Sequence, residues 1–138
     1  MTLNRRRFLK TTAGTLLAAP ALVNGALASG HGPIKFVSIL DQSGGLDIYG
    51  KPMVDATKMA IDEMNEGGGL LGRQIDLKVY DPQSSIQFYT QFATQATAGD
   101  RADVVHAGIT SASREAIRPT FSRYNTCLLY TSPSPRDH

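Results

Sequence analysis

The chain has 138 residues and a formal net charge of +2, enough for one domain at most. Its basic character belongs to the first ten positions (Arg5, Arg6, Arg7 and Lys10), because residues 29–126 carry nine Lys/Arg against eleven Asp/Glu, a balance of −2. That excludes a basic footprint for nucleic acid; the single cysteine, Cys127, excludes a disulfide framework and a cysteine zinc cluster, and its place in the Ser-Pro-rich tail speaks against a cysteine nucleophile.

In chain order, the positive start is followed by an apolar, small-residue run from Thr11 to Val23 and by Ala26-Leu27-Ala28. This is the three-part layout of a secretory signal, with cleavage expected after Ala28. The run contains Pro20 and falls short of the ~20 residues that cross a bilayer. Read from Arg5, the segment Arg-Arg-Arg-Phe-Leu-Lys is similar to a twin-arginine export signal, which implies a bacterial protein exported already folded.

His31-Gly32-Pro33 reads as a linker, and Ile34–Leu40 as a strand covered on both faces. Asp41–Gly50, with three glycines among polar residues, is a predicted loop. Between Lys51 and Glu66 the residues Met53, Ala56, Ala60 and Met64 recur at helical spacing, widened by Met59 and Ile61, and predict an amphipathic helix buried on that stripe. Gly67-Gly68-Gly69 stops it. Alternation of Ile75, Leu77 and Val79 marks a second strand over 74–80, and Asp81–Ser84 a turn in which Ser84 or Ser85 caps the next helix. That helix runs to about Ala98 with Ile86, Tyr89, Ala93 and Ala96 on one line. A short strand follows at 103–107, a small-residue loop at 108–113, and a third helix at 114–124 with Ile117, Phe121 and Tyr124 inward. A fourth strand begins near Thr126. The order β-α-β-α-β-α, with short connections, predicts an α/β fold built on a doubly wound parallel sheet.

Ligands in such sheets bind at the carboxyl ends of strands, where the strand order reverses. Two loops qualify, Asp41–Gly50 and Gly108–Ser113. The second places Thr110, Ser111 and Ser113 where a strand hands over to a helix. Unpaired backbone N–H groups and about half a positive charge gather there, a setting for a carboxylate or amide oxygen. The pattern equally allows Ser111 or Ser113 simply to cap the helix, and by itself favours that reading. Gly67-x-Gly69-x-x-Gly72 satisfies the letter of the dinucleotide fingerprint, but it follows a helix and leads into a strand, the wrong order for that site. His31 and His106 lack companions for a metal, and Ser111 has no evident histidine for a nucleophilic role. The expectation is a binding protein without metal or cofactor, not an enzyme.

Several segments carry a resemblance: Ser43–Gly50 (SGGLDIYG) after the first strand, the helix ending Met64-Asn65-Glu66-Gly67-Gly68-Gly69, Leu71-Gly72-Arg73 before the second strand, and Thr110–Ala116 (TSASREA). Together they resemble the type I periplasmic solute-binding proteins of ABC importers, within the branched-chain amino acid, amide and urea group. The likeness covers nearly all of 34–126. It implies the amino-terminal lobe of a protein that closes two lobes on a small solute and delivers it to a membrane permease. It also implies ligand-binding roles for Ser111, with Thr110 and Ser113 beside it, for the aromatic Tyr49, and for Ser43 and Gly44 at the start of the first loop. A urea, short amide or branched-chain amino acid ligand and a periplasmic location follow from the same likeness. A sensor of amides or amino acids on the same fold is the alternative; an export signal speaks for transport. Cys127–Asp137 (CLLYTSPSPRD) resembles the in-frame translation of a transposase-type sequencing adapter, so residues 127–138 are expected to be foreign and the next ligand loop and second lobe to lie beyond this chain.

Overall fold

The computed structural model describes residues 32–130; the expected export signal and its cleavage point, His31 and the last eight positions lie outside them. The elements are β1 (Ile34–Ile39), α1 (Asp47–Glu66), β2 (Ile75–Tyr80), α2 (Ile86–Thr94, continued by a widened π turn over Gln95–Gly99), β3 (Val104–Ala107), α3 (Ser111–Tyr124) and β4 (Cys127–Leu129). The strands form one parallel sheet in the order β2-β1-β3-β4. Cys127–Leu129, whatever its origin, pairs with Val104–His106 as that fourth strand.

Alternation along the strands assigns the helices to faces. Val37 and Ile39 of β1, with Val105 and Ala107 of β3, join Tyr89, Ala93 and Ala96 of α2 and Ile117 and Phe121 of α3 in one buried cluster. The other face meets α1. His106 pairs with Ser38, not with the Val37/Ile39 side, and its Nδ1 lies 3.3 Å from Thr57 Oγ1 on α1. Helices on both faces make the sheet doubly wound, as the sequence order predicts.

α1 buries a different stripe from the one its methionines suggest. Gly50, Val54 and Ile61 are buried, with Thr57 and Asn65 half-buried in line with them. Met59 and Met64 are exposed, as are Ala56 and Ala60. Two stripes of near-equal apolar content share this helix, and the one holding Asn65 can clamp the sheet. The Asn65 amide donates to the Ile75 carbonyl at 2.9 Å and accepts from the Ile75 N–H at 2.8 Å. The helix also begins one turn earlier than its periodicity suggests, and Pro52 lies within it. In α2, Tyr89, Ala93 and Ala96 are inside as expected but Ile86 is exposed. In α3, Ile117 and Phe121 are inside, whereas Tyr124 is 45% exposed. The chain leaves α3 at Asn125 in the left-handed conformation.

Gly67–Gly72 is a structural connector. Leu70 and Arg73 exchange two backbone hydrogen bonds in a miniature hairpin. A side chain on Gly69 would run into the Arg73 carbonyl. The segment enters β2 at its amino end, opposite to where a phosphate-binding turn must stand.

His106 yields a pH prediction. Burial holds its pKa below the usual value of 6.5. A depressed folded pKa means that the unfolded chain takes up the proton first. The associated stability is therefore complete above pH 6.5, declines as the pH falls below it, and levels off beneath the folded pKa. His106→Gln should flatten that part of the profile, read as the difference in urea midpoint between the two proteins from pH 7.5 to 5.

Candidate functional site

From β1 the chain moves to β2 on one side and then to β3 on the other. The reversal therefore lies between β1 and β3, and their carboxyl-terminal loops flank the crevice. These are the two loops singled out from the sequence.

The first loop is pinned from below by the turn after β2. Asp81 accepts from the Gln42 N–H (2.9 Å), the Ser43 N–H (3.3 Å) and the Ser43 hydroxyl (2.7 Å). Burial works against the charged form of Asp81, but these bonds and one from the Gln83 N–H outweigh it and hold its pKa below the ordinary carboxylate value. Ser84 Oγ accepts from the Leu46 N–H at 3.0 Å. Its hydroxyl latches this loop, and α2 starts at Ser85 without a side-chain cap. Gly44 has φ +86°, and a Cβ there would stand 2.8 Å from the Gln83 carbonyl oxygen, so glycine is required on both counts. Ser43 and Gly44 thus sit against the β2–α2 turn. Tyr49 is 57% exposed and lies in the first turn of α1 rather than in the loop.

The second loop leaves β3 through Gly108, at φ +85°. Thr110 is the N-cap of α3. Its Oγ1 accepts from the Ser113 N–H at 3.1 Å, while the Ser113 hydroxyl answers to the Thr110 backbone, completing a capping box. Ser113 is 1% exposed, so its hydroxyl serves the loop. Ser111, the first residue of α3, is exposed. Of the first N–H groups of α3, that of Ser113 is taken by Thr110 Oγ1 and that of Arg114 by the Thr110 carbonyl. Those of Ser111 and Ala112 point out of the helix with no intrahelical acceptor. The crevice therefore offers a hydroxyl and two amide donors at the positive end of a helix.

Sequence reasoning missed the roles of three side chains at this crevice. Asp41, fully buried at the end of β1, accepts from the Ser84 N–H at 2.5 Å and from the Tyr89 hydroxyl at 2.9 Å. Tyr89 lies on the inward line of α2 and reads as plain core. Only the cost of burying a phenol hydroxyl, which demands a partner, signals more. Arg114, 1% exposed, holds its guanidinium 4.8 Å from the centre of the Tyr130 ring.

Away from the crevice, an open groove of about 330 Å³ is lined by Lys35, Phe36, Val37, Asp76, Lys78, Gly99 and Asp100. Two of its charges, Lys78 and Asp100, pair with each other. Lys78 Nζ is 2.8 Å from Asp100 Oδ1, Tyr80 donates to Asp100 Oδ2 at 2.7 Å, and Lys35 Nζ donates to the Asp100 carbonyl at 3.0 Å. Among the described residues no group of three His, Cys, Asp or Glu side chains is arranged to hold a metal.

An open parallel sheet with helices on both faces and a strand-order reversal between β1 and β3 defines a lobe of the doubly wound α/β class. The chain belongs to the periplasmic binding protein domain family, which matches residues 34–133. Among solved structures it is similar to the branched-chain amino acid transporter substrate-binding protein of Streptococcus pneumoniae in complex with isoleucine (24% identity, TM-score 0.69, covering 71% of this chain and 28% of that one). It is similar also to a leucine-binding protein of Thermotoga maritima (21%, 0.64, 70% and 27%). A third is a solute-binding protein of an ABC transporter from Rhodopseudomonas palustris in complex with 3,4-dihydroxybenzoic acid (18%, 0.66, 71% and 26%). The chain thus spans less than a third of the length of these structures. No curated protein matches it in a sequence search.

Proposed function

We propose that this lobe belongs to the extracytoplasmic substrate-binding component of an ABC importer, and that it takes a small polar solute bearing a carboxylate or amide oxygen. Urea, a short amide or a branched-chain amino acid is the solute class. The observation that carries the reading is the exposed Ser111 hydroxyl beside the Ser111 and Ala112 amides, at the sheet's reversal point. Thr110 positions that helix end. Tyr49, exposed on the first turn of α1, supplies an aromatic wall, with Ser43 and Gly44 shaping the first loop. Binding works by closure of a second lobe over this one, a hinge motion that needs no chemistry on the solute. The partner is the importer's membrane permease.

Titration calorimetry of the full-length protein with urea, acetamide, leucine and isoleucine tests the reading. Saturable binding of at least one is expected, and no binding by any would overturn the solute class. We assign export to Arg5 and Arg6, on the similarity of residues 5–10 to a twin-arginine signal. Replacing both by Lys should stop the mature protein from reaching the periplasm, as followed by cell fractionation; undiminished export would remove the twin-arginine route.

A further inference from the structure

Asp41 and Tyr89 are an expensive pair to bury. Asp41 is 0% and Tyr89 1% exposed, and a phenylalanine would fill the same core volume without a hydroxyl to satisfy. A buried hydroxyl or carboxylate costs stability unless fully bonded. The bonds that compensate it all run to segments at the crevice. Asp41 ends β1 and begins the first loop; through the Ser84 N–H it holds the β2–α2 turn, whose Ser84 hydroxyl in turn holds Leu46. Tyr89 reaches up from α2 to Asp41 Oδ2. Burial first, and then the bond to Asp41, push the phenol's pKa up, so it remains a protonated donor at any physiological pH.

We propose that Tyr89 is a positioning residue: its hydroxyl, anchored on Asp41, fixes the loop after β1 against the β2–α2 turn in one setting, so that this side of the crevice is preformed before solute arrives. Its link to affinity rests on the binding function proposed above; its link to loop order does not. A preset crevice avoids the ordering cost that otherwise subtracts from binding.

The test compares Tyr89→Phe with Ile117→Val, which trims the same buried cluster without touching a hydrogen bond. Two quantities are read in the full-length protein: amide hydrogen exchange without ligand, and calorimetric affinity for isoleucine, urea and acetamide. Tyr89→Phe should speed exchange at Leu46 and Ser84 by about tenfold, the size of one buried hydrogen bond, and weaken binding of the solute taken by the wild type by a similar factor. Ile117→Val should leave both near wild type after allowance for global stability. Unchanged exchange at Leu46 and Ser84, or equal loosening by Ile117→Val, overturns the positioning role. If the wild type binds none of the three probes, the solute class fails while the exchange result still decides the role of Tyr89. Should Tyr89→Phe not fold, Asp41→Asn keeps the shape, replaces one of the two acceptor oxygens by a donor and carries the same exchange readout.

Discussion

Gly50→Ala should be the most damaging single-methyl change in the described residues. Gly50 lies in the first turn of α1, donating to the Leu46 carbonyl at 3.1 Å, and that turn presses on the backbone of Asp41. A Cβ built on Gly50 falls inside the Asp41 main chain. Backbone cannot swing aside as a flexible side chain does, so either α1 lifts from the sheet or β1 loses the geometry that holds its carboxylate. Overpacking of this kind costs about 3 kcal/mol or more, a large part of a stability margin of ~5–15 kcal/mol. Gly45→Ala is the matched control. It lies in the loop just before α1, with no atom within 4 Å of its built Cβ and no positive φ, and should stay within about 0.5 kcal/mol of wild type. Urea unfolding of the three proteins checks this. Equal stability of Gly50→Ala and wild type would mean that α1 does not approach Asp41 as described.

Ser111→Ala should separate binding from folding. The cap of α3 is Thr110, boxed with Ser113, so removing the Ser111 hydroxyl takes away no structural bond and stability should move by no more than about 0.5 kcal/mol. Affinity for the solute should fall by about 1–3 kcal/mol, the loss when one polar partner in a desolvated contact goes unanswered. Thr110→Ala should show the reverse emphasis, losing about 1 kcal/mol of stability with the cap. Calorimetry and unfolding on the two variants decide it. If Ser111→Ala loses stability and keeps affinity, Ser111 is a helix-start residue and nothing more.

The order of elements and the two crevice loops are legible in the sequence because they rest on local signals. Alternation at Ile75, Leu77 and Val79 marks a strand, the triple glycine at 67–69 a helix end, and three hydroxyl residues at 110–113 a strand-to-helix handover. The buried face of α1 is not legible, since Met53, Ala56, Ala60 and Met64 form as good a stripe as Gly50, Val54, Thr57 and Ile61. What decides between them is the amide clamp from Asn65 to Ile75 and the room above Asp41, both tertiary. Ser84 misleads in the same way. Local chemistry makes it a cap for α2, but the Leu46 N–H, 38 positions earlier, claims its hydroxyl. At the crevice, spacing identifies Thr110, Ser111 and Ser113 together and cannot divide them. Only the fold shows Ser113 turned inward to the cap and Ser111 left exposed.

The central claim is that solute binds where the loops after β1 and β3 meet. Amide chemical-shift mapping of the full-length protein, titrated with the solute that calorimetry identifies, tests it most directly. The account predicts that, among residues 32–130, the largest shifts fall on Ser111, Ala112 and Gly44–Tyr49. Shifts centred instead on Lys35, Lys78 and Asp100, the groove at the other end of the sheet, would contradict it.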